Sequence, residues 1–120
     1  MDLLALFRDE TNIIEVKANT NVFSEGDEGT EMYVVLDGII ALKVGYEIID
    51  IVEAGDVMGE MAIIDAKKRS ATAVAKTDCK MVPVSKEKFL AMVQENPAFA
   101  IHVMAVLADR IRNMNELLKR

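Results

Sequence analysis

The sequence predicts one mainly β domain, a jelly roll or small barrel, followed by helices. Three observations carry this. Up to about Pro83, short β-prone apolar runs are broken by Gly and Asp, as in folds built from many short strands and tight turns. After Ser85 the apolar residues recur at helical spacing. The chain has 120 residues, enough for one domain that buries roughly two thirds of its extended-chain surface. The change of period falls inside that domain, because neither part holds a complete core.

Taken in order, Leu3, Leu4, Leu6 and Phe7 form a short apolar helical patch. Ile13 to Ala18 favours a strand with Ile14 and Val16 on one face. Phe23 to Gly29 is a turn-rich bend, and Met32 to Leu36 is a strongly β-prone run. Asp37-Gly38 then leads into a second run, Ile39 to Val44. Gly38 and Gly45 supply positive φ or close backbone approach. Tyr46 to Val52, Ala71 to Ala75 and Met81 to Val84 complete the strands, with a turn at Gly55-Asp56. Ser85 is a good N-cap, with Glu87 in the first turn of a helix that presents Phe89, Leu90 and Val93. Asn96 caps the last helix and Pro97 takes its first position. From there Met104, Leu107, Ile111, Met114 and Leu118 form an a/d seam. The seam fits either a dimer contact or a helix packed back on its own barrel.

Composition excludes several classes. The apolar fraction of 52% and charged fraction of 28% are those of a globular chain. A net charge of -6 disfavours a basic nucleic-acid-binding domain. The single cysteine, Cys79, rules out an intrachain disulfide and reads as a strand residue. Met1-Asp2-Leu3-Leu4 lacks the basic start of a secretory signal, and the apolar stretch from Ala98 to Ala108 is too short to span a bilayer. A cytoplasmic setting is expected, with no membrane or nucleic-acid contact. Metal-dependent barrel enzymes need a cluster of His and carboxylate ligands, and this chain has one histidine, His102, in the last helix. Phosphodiester hydrolysis would require a metal or a general base with an oriented water. No such set is recognisable, so no catalytic residue and no cofactor are expected.

Binding chemistry concentrates between Gly55 and Thr72. Gly59 lets the backbone turn or approach a ligand, and Glu60 opens a short apolar helical turn whose free N–H groups suit an anion. Lys67, Lys68 and Arg69 are three consecutive basic residues in an acidic chain, and Ser70 adds a hydroxyl. Backbone donors, an arginine and a hydroxyl suit a phosphate, while Glu60 can accept from a hydroxylated ligand such as a ribose. A solvated surface turn explains the same residues without a ligand. Neither a P-loop nor a dinucleotide fingerprint is present.

The order and spacing of four blocks resemble the cyclic-nucleotide-binding domain family, found in catabolite-activator-like proteins, kinase regulatory subunits and gated channels. The blocks are Phe23 to Gly29, Met32 to Gly38, Gly55 to Ala62 and Arg69 to Thr72. The resemblance covers roughly residues 13–112. It implies an eight-stranded β roll with flanking helices, including a long C-terminal one. The expected division is a roll over about 13–84 and helices over about 85–119, within a single domain 1–120. It also implies a phosphate-binding segment from Gly59 to Ala71, in which Glu60 holds the ribose 2′-hydroxyl and Arg69 pairs with the cyclic phosphate. Backbone N–H groups from Gly59 through Met61 to Ala62, and at Ser70-Ala71, complete the cradle, and Gly26, Gly29, Gly38 and Gly55 match turn glycines of the roll. Two residues depart from the pattern: Met58 replaces a frequent Phe, and Lys68 a frequent Pro.

The function implied is non-catalytic binding of a cyclic purine mononucleotide by a regulatory module. Ser70 after the arginine points to cyclic AMP, with cyclic GMP as the other ligand. The terminal helix is expected to act as a lid or as a ligand-sensitive homodimer contact, coupled through Val103 to Ile111. The effector is unknown, and no output domain is expected within this chain. The alternative is a degenerate roll kept as an interaction or dimerisation module.

Overall fold

The computed structural model describes residues 1–65 and 68–119. Lys67 of the basic trio therefore lies outside the described residues. The elements run α1 (Leu3–Leu6), β1 (Ile14–Val16), β2 (Asn21–Phe23), β3 (Glu31–Asp37), β4 (Ile40–Val44), β5 (Glu47–Val52), β6 (Val57–Met58), α2 (Met61–Ile64), β7 (Thr72–Ala75), β8 (Cys79–Ser85), α3 (Lys86–Glu95) and α4 (Ala98–Leu118). The expected eight-stranded roll with flanking helices is what forms. β2 and β6 were not legible from the residues alone, because runs of three and two residues are too short to show a period.

The strands make two four-stranded antiparallel sheets, ordered β1-β8-β3-β6 and β2-β7-β4-β5. Period-2 alternation in the first sheet divides its side chains between two cores. Met32, Val34, Val57, Val82 and Val84 turn outward and pack with Leu3 of α1, Phe7 just after it, and Phe99 and Val103 of α4. Val35, Met58, Cys79 and Met81 turn inward and meet Ile40, Leu42, Val52, Ala73 and Ala75 of the second sheet. Full burial of each large side chain is worth about 1.5–3 kcal/mol relative to exposure, so both faces of the first sheet hold the fold together. Cys79 is buried in β8, as its strand reading requires.

Helix boundaries follow local chemistry. The Asp2 carboxylate accepts from Ala5 N–H and starts α1. The Ser85 hydroxyl accepts from Lys88 N–H at 3.1 Å and starts α3. Pro97 is already helical, and the Asn96 carbonyl accepts from Phe99 N–H at 2.9 Å. α3 and α4 meet at a bend of 120°, which turns α4 back along the roll. Among the described residues no single helix is long and apolar enough to cross a membrane.

The inner face of α4 differs from the expected seam. Phe99, Val103 and Arg110 are buried, with Val106 packed beside them. Met104, Ile111 and Leu118 of the seam are exposed in large part. The apolar spacing marked the neighbouring stripe because it counted aliphatic residues. A charged residue, Arg110, is drawn inside by groups on the roll.

Gly38 shows how tightly the connection between β3 of one sheet and β4 of the other is built. Its φ is +100°, and an added Cβ would lie 2.5 Å from Cys79 Sγ and 2.6 Å from the Asp78 carbonyl. Backbone strain of this kind costs about 1–3 kcal/mol before any clash. Gly38→Ala is therefore expected to lower the unfolding free energy by at least that amount in urea titration, with an unchanged denaturant slope.

Candidate functional site

A cavity of about 270 Å³ opens between the second sheet, the α2 turn and α4. It brings together every residue expected at the site: Gly59, Glu60, Met61, Ala62, Arg69, Ser70 and Ala71 all line it. Opposite them stand Leu42 and Val44 of β4, Ile49 of β5, and Leu107, Arg110, Ile111 and Met114 of α4.

The backbone around Arg69 is fixed by the loop between β2 and β3. Arg69 N–H donates to the Asp27 carbonyl at 2.8 Å, and Gly26 N–H donates to the Arg69 carbonyl at 2.9 Å. The loop in turn is held by Ser24 N–H donating to the Asp27 carboxylate and by Glu25 N–H donating to the Thr72 hydroxyl, both 2.9 Å. The polar turn block of the sequence is thus the clamp for this arginine.

The Arg69 side chain is only 7% exposed. Its Nη1 donates to the Gly59 carbonyl at 3.2 Å, and its Cζ lies 4.3 Å from the centre of the Phe23 ring. Nε is buried without a hydrogen-bond partner, and Arg69 pairs with no carboxylate among the described residues. A buried guanidinium so placed is poorly compensated, and it borders a cavity. Two glycines make room for it. A Cβ on Gly29 would fall 2.2 Å from Nε, and one on Gly59 would fall 2.7 Å from Nη1. Gly59 also takes φ of +75°, whereas Gly29 lies outside the left-handed region, so space rather than conformation explains glycine at 29.

Glu60 is 4% exposed at the start of α2. Its carboxylate accepts from Arg110 Nη1. Arg110 also donates through Nη2 to the Val57 carbonyl and through Nε to Asp50 at 2.9 Å. Asn113 Nδ2 reaches the same Asp50 at 3.3 Å. Arg110 therefore joins α4 to the α2 turn, to β6 and to β5. Sequence reasoning missed it, since one arginine in a mixed helix carries no motif. The signal lay in its spacing, three residues after Leu107 and seven after Val103.

The remaining expected donors differ in state. Ala62 N–H already donates to the Gly59 carbonyl at 3.2 Å, while Glu60 and Met61 amides sit at the start of the turn, where no intrahelical acceptor exists. Ser70 is exposed at the rim and Ala71 is buried. Tyr33, stacked on Phe23 with centroids 6.2 Å apart, has its phenol pKa pushed up by burial; the Arg69 charge opposes this and Glu31 adds to it. Among the described residues no group of three metal-ligating side chains occurs. His102 sits in α4 with Nε2 buried and unpartnered among the described residues, and it does not line this cavity.

Comparison with known proteins gives a consistent picture. The model of the cyclic nucleotide-binding domain family matches residues 13–96. The cyclic AMP receptor protein of Thermus thermophilus is 33% identical over 96 residues, covering 76% of this chain and 44% of that protein. The cAMP-activated global transcriptional regulator CRP of Pasteurella multocida is 28% identical over 116 residues, covering 92% and 56%. The crystal structure of the Thermus thermophilus catabolite activator protein superimposes with a TM-score of 0.74 at 28% identity, over 89% of this chain and 53% of that one. The chain spans about half the length of the curated relatives it matches.

Two of the ion pairs made by α4 lead to opposite predictions. Arg110 and Glu60 are both buried, whereas Arg112 and Asp109 are more than 70% exposed. Arg110→Ala strands a buried carboxylate and is expected to cost about 3–5 kcal/mol. Arg112→Ala is expected to cost under about 1 kcal/mol. Thermal and urea unfolding of both variants check this.

Proposed function

Because the chain belongs to the cyclic nucleotide-binding domain family, we propose that it binds a 3′,5′-cyclic purine mononucleotide, cyclic AMP in preference to cyclic GMP, as a regulatory module without turnover. The observation that carries this is Arg69, a buried guanidinium facing a cavity with no carboxylate partner among the described residues. A cyclic phosphate supplies the missing anion, and its paired oxygens match the guanidinium fork. Glu60 lies on the same wall and accepts from the ribose 2′-hydroxyl, sharing its carboxylate with Arg110. The amides of Gly59, Glu60, Met61, Ser70 and Ala71 complete the cradle.

The preference for cyclic AMP rests on two features. Ser70 follows the arginine, and the wall away from the charged groups is aliphatic: Leu42, Val44, Ile49, Leu107, Ile111 and Met114. Guanine carries more polar edge than adenine, and desolvating an unpaired polar group is unfavourable. The names of the Thermus and Pasteurella relatives point to the same ligand. Arg110 links the ligand cradle to α4, so ligand is read out as a change in how α4 packs. Ile101, Met104 and Leu118 on its outer side are exposed and supply the contact of a weak, ligand-sensitive homodimer. The module works in the cytoplasm and passes its signal to an effector outside the described chain.

Isothermal titration should show one cyclic AMP site per chain with micromolar or tighter affinity, about 8 kcal/mol or more. Arg69→Ala should weaken binding by about 2–5 kcal/mol and leave the fold intact. An absence of heat and of thermal shift at millimolar cyclic AMP and cyclic GMP would leave the roll as an interaction module only.

A further inference from the structure

We infer that Phe23 is a positioning residue for ligand binding: the face of its ring holds the Arg69 guanidinium in the place where a carboxylate would ordinarily stand. The inference rests on the reading of Arg69 as the phosphate partner. Arg69 Cζ is 4.3 Å from the Phe23 centroid and 5.8 Å from that of Tyr33. The Phe23 and Tyr33 rings are stacked with an interplanar angle of 21°. Phe23 is fixed at the end of β2 by its pairing with Ala73 of β7, and Gly59 leaves room for the guanidinium, with an added Cβ 2.7 Å from Arg69 Nη1.

The choice of an aromatic ring has a physical reason. A carboxylate at this place would neutralise Arg69 and compete with an anionic ligand. A ring quadrupole attracts the cation and fixes its plane, yet leaves the full positive charge for the phosphate. It also explains how Nε remains buried without a hydrogen-bond partner: that edge of the guanidinium lies against Gly29, and orientation comes from stacking. Phe23 borders the cavity, and its proposed effect on the phosphate is exerted through Arg69.

Two readouts test this. In the ligand-free protein, the Arg69 Hε resonance, assigned by its disappearance in Arg69→Lys, should be shifted upfield by the ring current. Phe23→Tyr should keep that shift and Phe23→Leu should abolish it. By calorimetry, Phe23→Leu should bind cyclic AMP about 3–30-fold more weakly, the span of cation–π energies, and Phe23→Tyr should rescue binding to within about threefold of the unsubstituted chain. If Phe23→Leu fails to fold, the resonance of the unsubstituted chain and of Phe23→Tyr still decides. An Arg69 Hε without ring-current shift overturns the inference, as does Phe23→Leu binding at full affinity. Failure of the unsubstituted chain to bind cyclic AMP, with the shift present and lost in Phe23→Leu, would leave the positioning intact and overturn the phosphate reading instead.

Discussion

A guanidinium buried without a carboxylate partner among the described residues is the constraint around which this structure is arranged. Arg69 can remain charged inside the wall only if its backbone is clamped, its plane is supported and its volume is accommodated. The loop between β2 and β3 provides the clamp through Asp27 and Gly26. Phe23 provides the ring, and Gly29 and Gly59 provide the space. With Arg69 itself, these residues come from three separate stretches of chain, which explains why the roll must close before the site exists. The result is a fixed positive charge beside a cavity, arranged before any ligand arrives.

Arg110 is the counterpoint. It is buried nearly as deeply, at 8% exposure, but it is saturated by Glu60, Asp50 and the Val57 carbonyl. On the proposed reading one arginine is held ready for an external anion, while the other joins α4 to the roll. Glu60 lines the cavity and is bonded to α4 through Arg110. If the proposed ligand contacts this carboxylate, it has a physical route to α4 without a long chain of intermediaries.

Much of the fold was legible because period and punctuation are local properties. β3, β4 and β8 announce themselves by apolar runs, and Ser85 by its capping chemistry. β2 and β6 were hidden because their identity depends on pairing with β7 and β3 across long sequence separations. Gly59, Glu60, Arg69 and Ser70 could be singled out because they lie in one contiguous segment. Arg110 and Phe23 could not be, since each acquires its role from tertiary neighbours. The aliphatic seam of α4 divides for the same reason: Leu107, Ile111 and Met114 border the cavity, Met104 and Leu118 are exposed, and the docked stripe runs through Phe99, Val103 and Arg110.

The central claim is that Arg69 is retained for binding and adds no net stability to the empty protein, its ring contact being offset by the cost of burying the charge. The unfolding free energy of Arg69→Met without nucleotide tests it most directly, because Met fills similar space without a charge. Replacing buried charge by apolar volume is often neutral or stabilising by about 1–4 kcal/mol. The account predicts a variant at least as stable as the unsubstituted chain, which no longer gains stability when cyclic AMP is added. Marked destabilisation of the empty protein by this substitution would contradict it, and would make Arg69 a structural residue of the roll.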